Sequence, residues 1–205
     1  MVRKFALVLL PALFFSACGS AEVTPVEVVD EQEVTVVEDE AVLHQADIET
    51  TSVTWFGSKV VGSSHGGTIK LKEGNLQSVD GVYVGGSFVL DMATVDSDED
   101  NAKLEDHLKG TDFFDVAAFP EAKFEVTSLT KADEVGAYEV AGNLEIKGVS
   151  KNISFPATLA EGADTDTMTA EFAIDRSDWG IDYGLVGDNL INDEIKFTVE
   201  LNVKK

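Results

Sequence analysis

The clearest pattern in the chain lies near its C-terminus. In residues 195–203, Ile195, Phe197, Val199, Leu201 and Val203 are apolar and every position between them is polar. A period of two puts alternate side chains on opposite faces of an extended strand. The same rhythm recurs upstream. Tyr138, Val140, Leu144 and Ile146 make one such face, Ile153, Phe155, Ala157 and Leu159 a second, and Met168, Ala170, Phe172 and Ile174 a third. Ala122, Phe124 and Val126 make a shorter face, Val84, Gly86, Phe88 and Leu90 another, and Ile69 and Leu71 alternate with lysines. The stretch 53–60 is mixed but strand-like. With Gly, Asn and Asp marking turns between these runs, about eight strands are predicted from residue 46 onward.

One dry and one wet face per strand is the signature of an antiparallel sheet. Eight such strands must close on themselves or stack as two sheets, because an open sheet would leave long unpaired edges. Only the interval between Asp91 and Pro120 resists a strand reading. There Leu104 and Leu108 sit four apart and Gly110 is a natural stop, so a short helix is predicted over 102–110. Its apolar edge, with Phe113, Phe114 and Phe119, is placed to cap one end of the sheet.

The N-terminal part reads differently. Arg3 and Lys4 precede an apolar run over 5–15, then Ser16 and Ala17 lead into Cys18, the single cysteine. The run is too short for a spanning helix and matches a lipoprotein signal peptide over residues 1–17, with Phe15 where Leu is more usual. Cleavage before Cys18 and acylation of that residue would give stable membrane anchoring through several chains, and would leave no thiol for disulfides or catalysis. Residues 22–40 then carry eight acidic and no basic side chains. Like charge at this density opposes compaction, so 18–45 is expected to be an acidic, disordered tether and 46–205 the folded domain. The alternative for this stretch is an edge strand at residues 34–37.

A formal net charge of -23 repels phosphate backbones and excludes nucleic acid as a partner. A hydrophobic fraction of 44% with twelve Phe is still enough to build a core, so the acidity belongs to the solvated faces.

Several ordered stretches carry a family resemblance. HLKGTDFFDVAAFPEAKFEVTSL (107–129) and YEVAGNLEIKGVSKNISFP (138–156) resemble the YceI-like family of exported proteins, and WFGSKVVGSSHGGTIKLKEGNL (55–76), GGSFVLDMATV (85–95) and DRSDWGIDYG (175–184) fit it in order. The likeness covers roughly residues 51–203, with local departures at 63–67 and in the acidic loop 96–100. It implies an extended eight-stranded antiparallel lipocalin-like β-barrel that holds a polyisoprenoid, isoprenoid quinone or fatty amide in its lumen. It also implies that no cofactor is needed beyond such a bound lipid.

On that reading the lumen-lining candidates are Phe88, Leu90, Phe124, Val126, Leu144, Ile146, Phe155, Ala170, Phe172, Phe197 and Val199. The residues alone leave open a solid core packed with these same side chains; the resemblance favours a hollow. Burying about sixteen methylenes is worth on the order of 13 kcal/mol before ordering costs, so affinity needs no charged contact. His65, His107, Arg176 and Trp179 are candidates for the barrel mouth or a ligand headgroup, with Arg176 expected either to pair with Asp112, Asp115 or Glu121 or to face an anionic head. His65 is expected in a Gly-rich turn and His44 in the tether.

The three histidines show no metal-ligand spacing, and no metal site is expected. Residues 96–101 begin like a calcium loop, but position six is Asn101 and position twelve is His107, so a solvated acidic turn is the better reading. No nucleophile elbow or triad order is present, and no enzymatic activity is expected. The function expected is therefore non-enzymatic binding, sequestration or transport of a long apolar amphiphile by an exported, membrane-anchored lipoprotein facing the periplasm or cell surface, with the outer membrane favoured. The competing reading is a membrane-anchored protein-interaction module with a packed core. Homodimerisation is left open.

Overall fold

The structure is a computed structural model that describes residues 23, 25–34, 41–99, 101–183 and 191–205. The leader and Cys18 lie outside the described residues. Of the alternative edge strand at 34–37 only Val34 is described, and it belongs to no strand.

Eleven strands and one helix follow along the chain: β1 Val28–Asp30, β2 Val42–Gln45, β3 Ser52–Lys59, β4 Ser64–Thr68, β5 Lys70–Val79, β6 Val82–Asp91, α1 Ala102–Lys109, β7 Glu121–Lys131, β8 Ala137–Ile146, β9 Val149–Ala160, β10 Thr165–Asp175 and β11 Ile191–Lys204. They form one antiparallel sheet in the order β2-β5-β6-β7-β8-β9-β10-β11-β3-β4, with β1 added to β9. β4, at one end of this path, runs directly into β5, the second strand from the other end. Only Ile69 separates β4 from β5, and its N–H donates to Val53 on β3 at 3.0 Å. The sheet therefore curls back on itself and turns its dry face inward.

The count corrects the expected eight. The eight long runs are present as β3, β5 and β6 to β11, but three short strands, β1, β2 and β4, fall where no period of two is visible. His65 lies in β4 opposite Gly57, and not in a turn. Gly66 and Gly67 hide the strand from a pattern search, yet Gly67 is required: a Cβ there would stand 2.0 Å from the carbonyl oxygen of Asp96. The acidic loop packs directly on the strand, and the Asp96 carboxylate accepts from the Thr68 N–H at 2.6 Å and hydroxyl at 3.0 Å.

β1 and β2 come from the interval expected to be tether. β2 pairs with β5 over residues 42–45, and His44 Nε2 lies 2.8 Å from Ser78 Oγ. β1 pairs Val28 with Ile153 and Asp30 with Lys151. Their side chains join the core or bond across the sheet, which the charge density of the segment concealed.

Local chemistry explains the connections. Asp80-Gly81 and Lys147-Gly148 both have positive φ at the two central positions (50° and 76°, 52° and 74°), the two-residue geometry whose twist matches hairpin strands. A register shift in β7 between Val126 and Ser128 adds the local bend that curling needs. α1 is capped by Asn101, whose side chain accepts from the Leu104 N–H at 3.3 Å, and ends at Gly110 as the pattern requires. It buries Leu108 at one end of the curled sheet.

At the opposite end the interior is closed by a polar cluster. The Tyr83 hydroxyl donates to Asp166 at 2.9 Å, Lys205 lies 3.0 Å from the same carboxylate, and Gly162 N–H donates to it at 3.0 Å. Burial works to raise the Asp166 pKa, but Lys205, the Tyr83 hydroxyl and the Gly162 amide together hold it below the usual aspartate range. Burial and the neighbouring carboxylate push the Tyr83 phenol the other way, well above its ordinary value.

A group whose folded pKa is depressed contributes stability above its unfolded pKa and loses it as pH falls through the folded value. Asp166→Asn is expected to cost about 1–3 kcal/mol at pH 7. The wild-type advantage should begin to shrink below about pH 4, the unfolded aspartate value, and vanish in stronger acid. Urea unfolding of both forms across that range measures it.

Candidate functional site

The interior holds two adjoining cavities that share part of their walls. The inner one has a volume of about 150 Å³ and, Thr51 apart, is lined by apolar side chains. The structure places all eleven sequence-nominated lining residues around it. β6 supplies Phe88 and Leu90, β7 Phe124 and Val126, β8 Leu144 and Ile146, β9 Phe155, β10 Ala170 and Phe172, and β11 Phe197 and Val199. The register makes this convergence: Phe88 stands opposite Phe124, Phe124 opposite Leu144, and Phe172 opposite Phe197. Four rings then run as a row across the cavity, with centroid separations of 5.7 Å for Phe124–Phe155, 4.3 Å for Phe155–Phe172 and 5.6 Å for Phe172–Phe197. Phe155 and Phe172 are stacked at 11°, the preferred offset arrangement of aromatic pairs.

The outer cavity, about 390 Å³, lies at the α1 end and shares Ile69, Phe114, Ile146 and Phe197 with the inner one. Its wall includes His65, His107, Arg176 and Trp179, so the four mouth candidates converge there. They play different parts. Trp179 is 1% exposed and its indole N–H donates to the Leu144 carbonyl at 2.9 Å, stitching the short 3₁₀ turn over 176–179 to β8. Arg176 is 2% exposed and pairs with Asp193 at 3.1 Å. It also donates to the carbonyls of Ile181, Ile191 and Asn192.

That arrangement corrects the expected partners Asp112, Asp115 and Glu121. The guanidinium ties the turn after β10 to the start of β11, and its donors are spent on the protein itself. Phe113 lies beneath it, 5.9 Å from guanidinium carbon to ring centroid.

The two histidines are less committed. His65 Nδ1 lies 3.3 Å from Glu99 Oε2, close enough for an ion pair but without hydrogen-bond alignment. His107 packs edge-on to Phe113 and Tyr183 at 5.3 and 4.3 Å, and its Nε2 is buried without a hydrogen-bond partner among the described residues. An unpaired buried polar atom is costly and rare. Among the described residues, Lys59 and Lys103 complete a lining that holds cationic but no acidic side chains, in a chain of net charge -23.

Several lining residues escaped the sequence reading. Met168 and Leu201 belong to the same alternating faces as the nominated residues, so the signal was present. Trp55 did not stand out because β3 mixes its faces: Val53 and Trp55 line the interior while neighbouring Phe56 is 45% exposed. Lys59, Lys103 and Tyr183 lie on separate elements that only the curl of the sheet brings to one opening.

Among the described residues no group of three or more His, Cys, Asp or Glu is arranged to hold a metal ion. Two Ser–His contacts occur among the described residues: Ser63 Oγ lies 3.4 Å from His65 Nε2 at the α1 end, and Ser78 Oγ 2.8 Å from His44 Nε2 at the polar closed end, where Ser78 is 4% exposed and His44 Nδ1 faces the Lys204 carbonyl at 3.3 Å.

The site is thus an apolar cavity enclosed by a curled antiparallel sheet. The chain matches the YceI-like domain over residues 41–203 and belongs to that family. A UPF0312 protein of Pseudomonas putida strain W619 is 33% identical over 99 residues, 48% of this chain and 51% of that protein. A UPF0312 protein of Yersinia pestis strain Pestoides F is 39% identical over 62 residues, 30% of this chain and 31% of its own. The matched stretch thus spans about half, or less, of the curated relatives.

Among solved structures, BcnA of Burkholderia cenocepacia superimposes with a TM-score of 0.68 at 22% identity, covering 77% of this chain and 98% of BcnA. A polyisoprenoid binding domain from Saccharophagus degradans gives a TM-score of 0.63 at 16% identity, covering 78% and 97%. The YceI protein of Campylobacter jejuni gives 0.55 at 16%, covering 96% and 99%. At these identities the likeness is one of fold.

Arg176 is expected to behave as a strut. Arg176→Met should cost about 2–4 kcal/mol because it leaves buried carbonyls without donors, whereas Asp193→Asn, at a partner 43% exposed, should cost under about 1 kcal/mol. Equal, small losses for both in chemical denaturation would show that the guanidinium is free for another task.

Proposed function

We propose that this protein binds a long apolar amphiphile without chemical conversion, with the tail in the inner cavity and the polar head at the outer one. The observation that carries the reading is an apolar cavity, lined from eight long strands, that shares a wall with an outer cavity whose rim bears Lys59, Lys103, His65 and His107. Apolar burial supplies the affinity and a few polar groups at one end fix orientation, as in most small-molecule sites. The unpartnered Nε2 of His107 is the first candidate for a contact to the head. Trp179 and Arg176 shape the opening around it.

The ligand class we favour is a polyisoprenoid, an isoprenoid quinone or a fatty amide. A fold neighbour described as a polyisoprenoid binding domain supports the first of these. The inner cavity, about 150 Å³, is small for such a tail. A water molecule takes about 30 Å³ of liquid volume, so the phenylalanine row must turn aside as a long chain enters. We further propose that the leader is removed, that Cys18 is acylated, and that the domain is held on the periplasmic or outer surface of a membrane as a lipid carrier or store.

Solvent extraction and mass spectrometry of the purified protein test the binding directly: prenyl or acyl species are expected in the extract. Phe172→Trp and Ala170→Phe should lower uptake of a prenyl probe by more than about tenfold, or about 1.4 kcal/mol, while the domain stays folded with a loss of about 1–3 kcal/mol from overpacking. A ligand-free protein whose uptake is unchanged by both substitutions would leave a packed domain that works by docking to other proteins.

A further inference from the structure

The wall of the curled sheet has one incomplete seam. β8 and β9 keep register over ten residue pairs, Ala137↔Thr158 through Ile146↔Val149, and β10 and β11 over eleven. Between them, β9 and β10 pair only over four, from Thr167↔Ala160 to Ala170↔Ala157. Continuing that register would set Phe172 opposite Phe155. The two rings do stack there, at 4.3 Å, but the ladder has already ended, and residues 149–156 of β9 separate from residues 171–175 of β10.

β1 occupies this split. Its Val28, Val29 and Asp30 add to β9 opposite Ile153, Asn152 and Lys151, while Val26 N–H just ahead of it donates to the Ala173 carbonyl on β10 at 2.8 Å. Val26 and Val28 pack on the core, and Ile153 and Ala173 beneath them are 1% and 0% exposed. The family match begins at residue 41, so this closing strand lies ahead of the matched stretch.

The fastening is slight for a piece of wall. It consists of three ladder pairs and a Lys151–Asp30 contact at 3.0 Å whose acidic partner is 93% exposed. Beyond them Asn143 clasps the backbone of Gln32, accepting from its N–H at 3.0 Å and donating to its carbonyl at 2.7 Å. Glu27, Asp30, Glu31 and Glu33 place four negative charges in this short segment of a chain already at -23, so self-repulsion works against its attachment. The stacked Phe155 and Phe172, which line the inner cavity, stand at the point where the split begins.

We propose that β1 is a removable strand that closes a side entrance to the lumen between β9 and β10. When it leaves, the tail of a bound amphiphile passes through the seam and does not have to thread end-on past α1. The inference rests on the lipid-binding reading and adds the route. A seal of this kind changes how fast ligand enters and leaves without changing where it finally rests.

The test locks the strand in place. Asp30→Cys with Lys151→Cys, in a full-length Cys18→Ser chain, puts two thiols on directly opposed strand positions, whose Cα separation of about 4.5–5.5 Å falls within disulfide range. The oxidised and reduced forms are the same protein, so a folding defect cannot mimic the effect. Stopped-flow fluorescence with cis-parinaric acid should show association and dissociation both slowed more than about tenfold on oxidation, with Kd changed less than about threefold. Rates within twofold of each other in the two forms would overturn the side entrance and leave the α1 end as the route. Absence of probe binding in both forms, and in the unsubstituted chain, would overturn the lipid-binding reading and the entrance with it.

Discussion

The structure depends on one constraint: every long strand has a face that must be kept from water, and a single sheet has only itself to hide it against. Curling meets that demand. Tilted strands, paired glycine turns and a bulge in β7 bring Phe88, Phe124, Phe155, Phe172 and Phe197 toward one axis. The hollow follows from size, because a ring of eight long strands has an interior that side chains fill only when most of them are large. Here Ala157 and Ala170 face the same space as the phenylalanines, and a cavity remains.

The two ends are built to different rules. One is closed by charge and hydrogen bonds, with Tyr83, Asp166 and Lys205 mutually satisfied and His44 bonded to Ser78. The other is bounded by a short helix, two aromatic side chains and a buried arginine whose donors serve backbone carbonyls. A polar group that is fully paired stabilises; one that is buried and unpaired awaits a partner. By this criterion the Tyr83–Asp166–Lys205 cluster is structural, whereas His107 Nε2 at the other end has no hydrogen-bond partner among the described residues. The acidic loop over 96–99 belongs with the scaffold as well, because Asp96 is engaged by Thr68 and the loop backbone rests on Gly67.

The wall carries its own asymmetry. β8 and β9, joined by a tight turn, stay in register over ten pairs, whereas β9 and β10 part after four. A short N-terminal strand fills the gap, and the lumen thus has a boundary made from a segment with few contacts and much charge. Segments of that kind open at low cost in free energy compared with the strands around them.

Much of this was legible in the residues. Alternation located the long runs and assigned the dry faces of all but β3, whose faces are mixed, because a two-residue period is a local property that no tertiary contact can reverse without burying charge. For the same reason the eleven nominated lining residues all reach one cavity, and the Leu104–Leu108 spacing with Gly110 marked the helix. Other features were decided only in three dimensions. β1 and β2 are short and belong to a stretch dominated by acidic residues, and they are strands because β9, β10 and β5 offer them unpaired edges. β4 carries two glycines where a pattern would need side chains, and packing under the acidic loop selects them. Arg176 found Asp193 and three carbonyls in place of the acids near the helix, since its reach is set by how the turn after β10 folds back on β11. Sequence fixes which side of each strand is dry, for that is written residue by residue; which edges meet, and what hollow they leave, depends on distances between segments far apart in the chain.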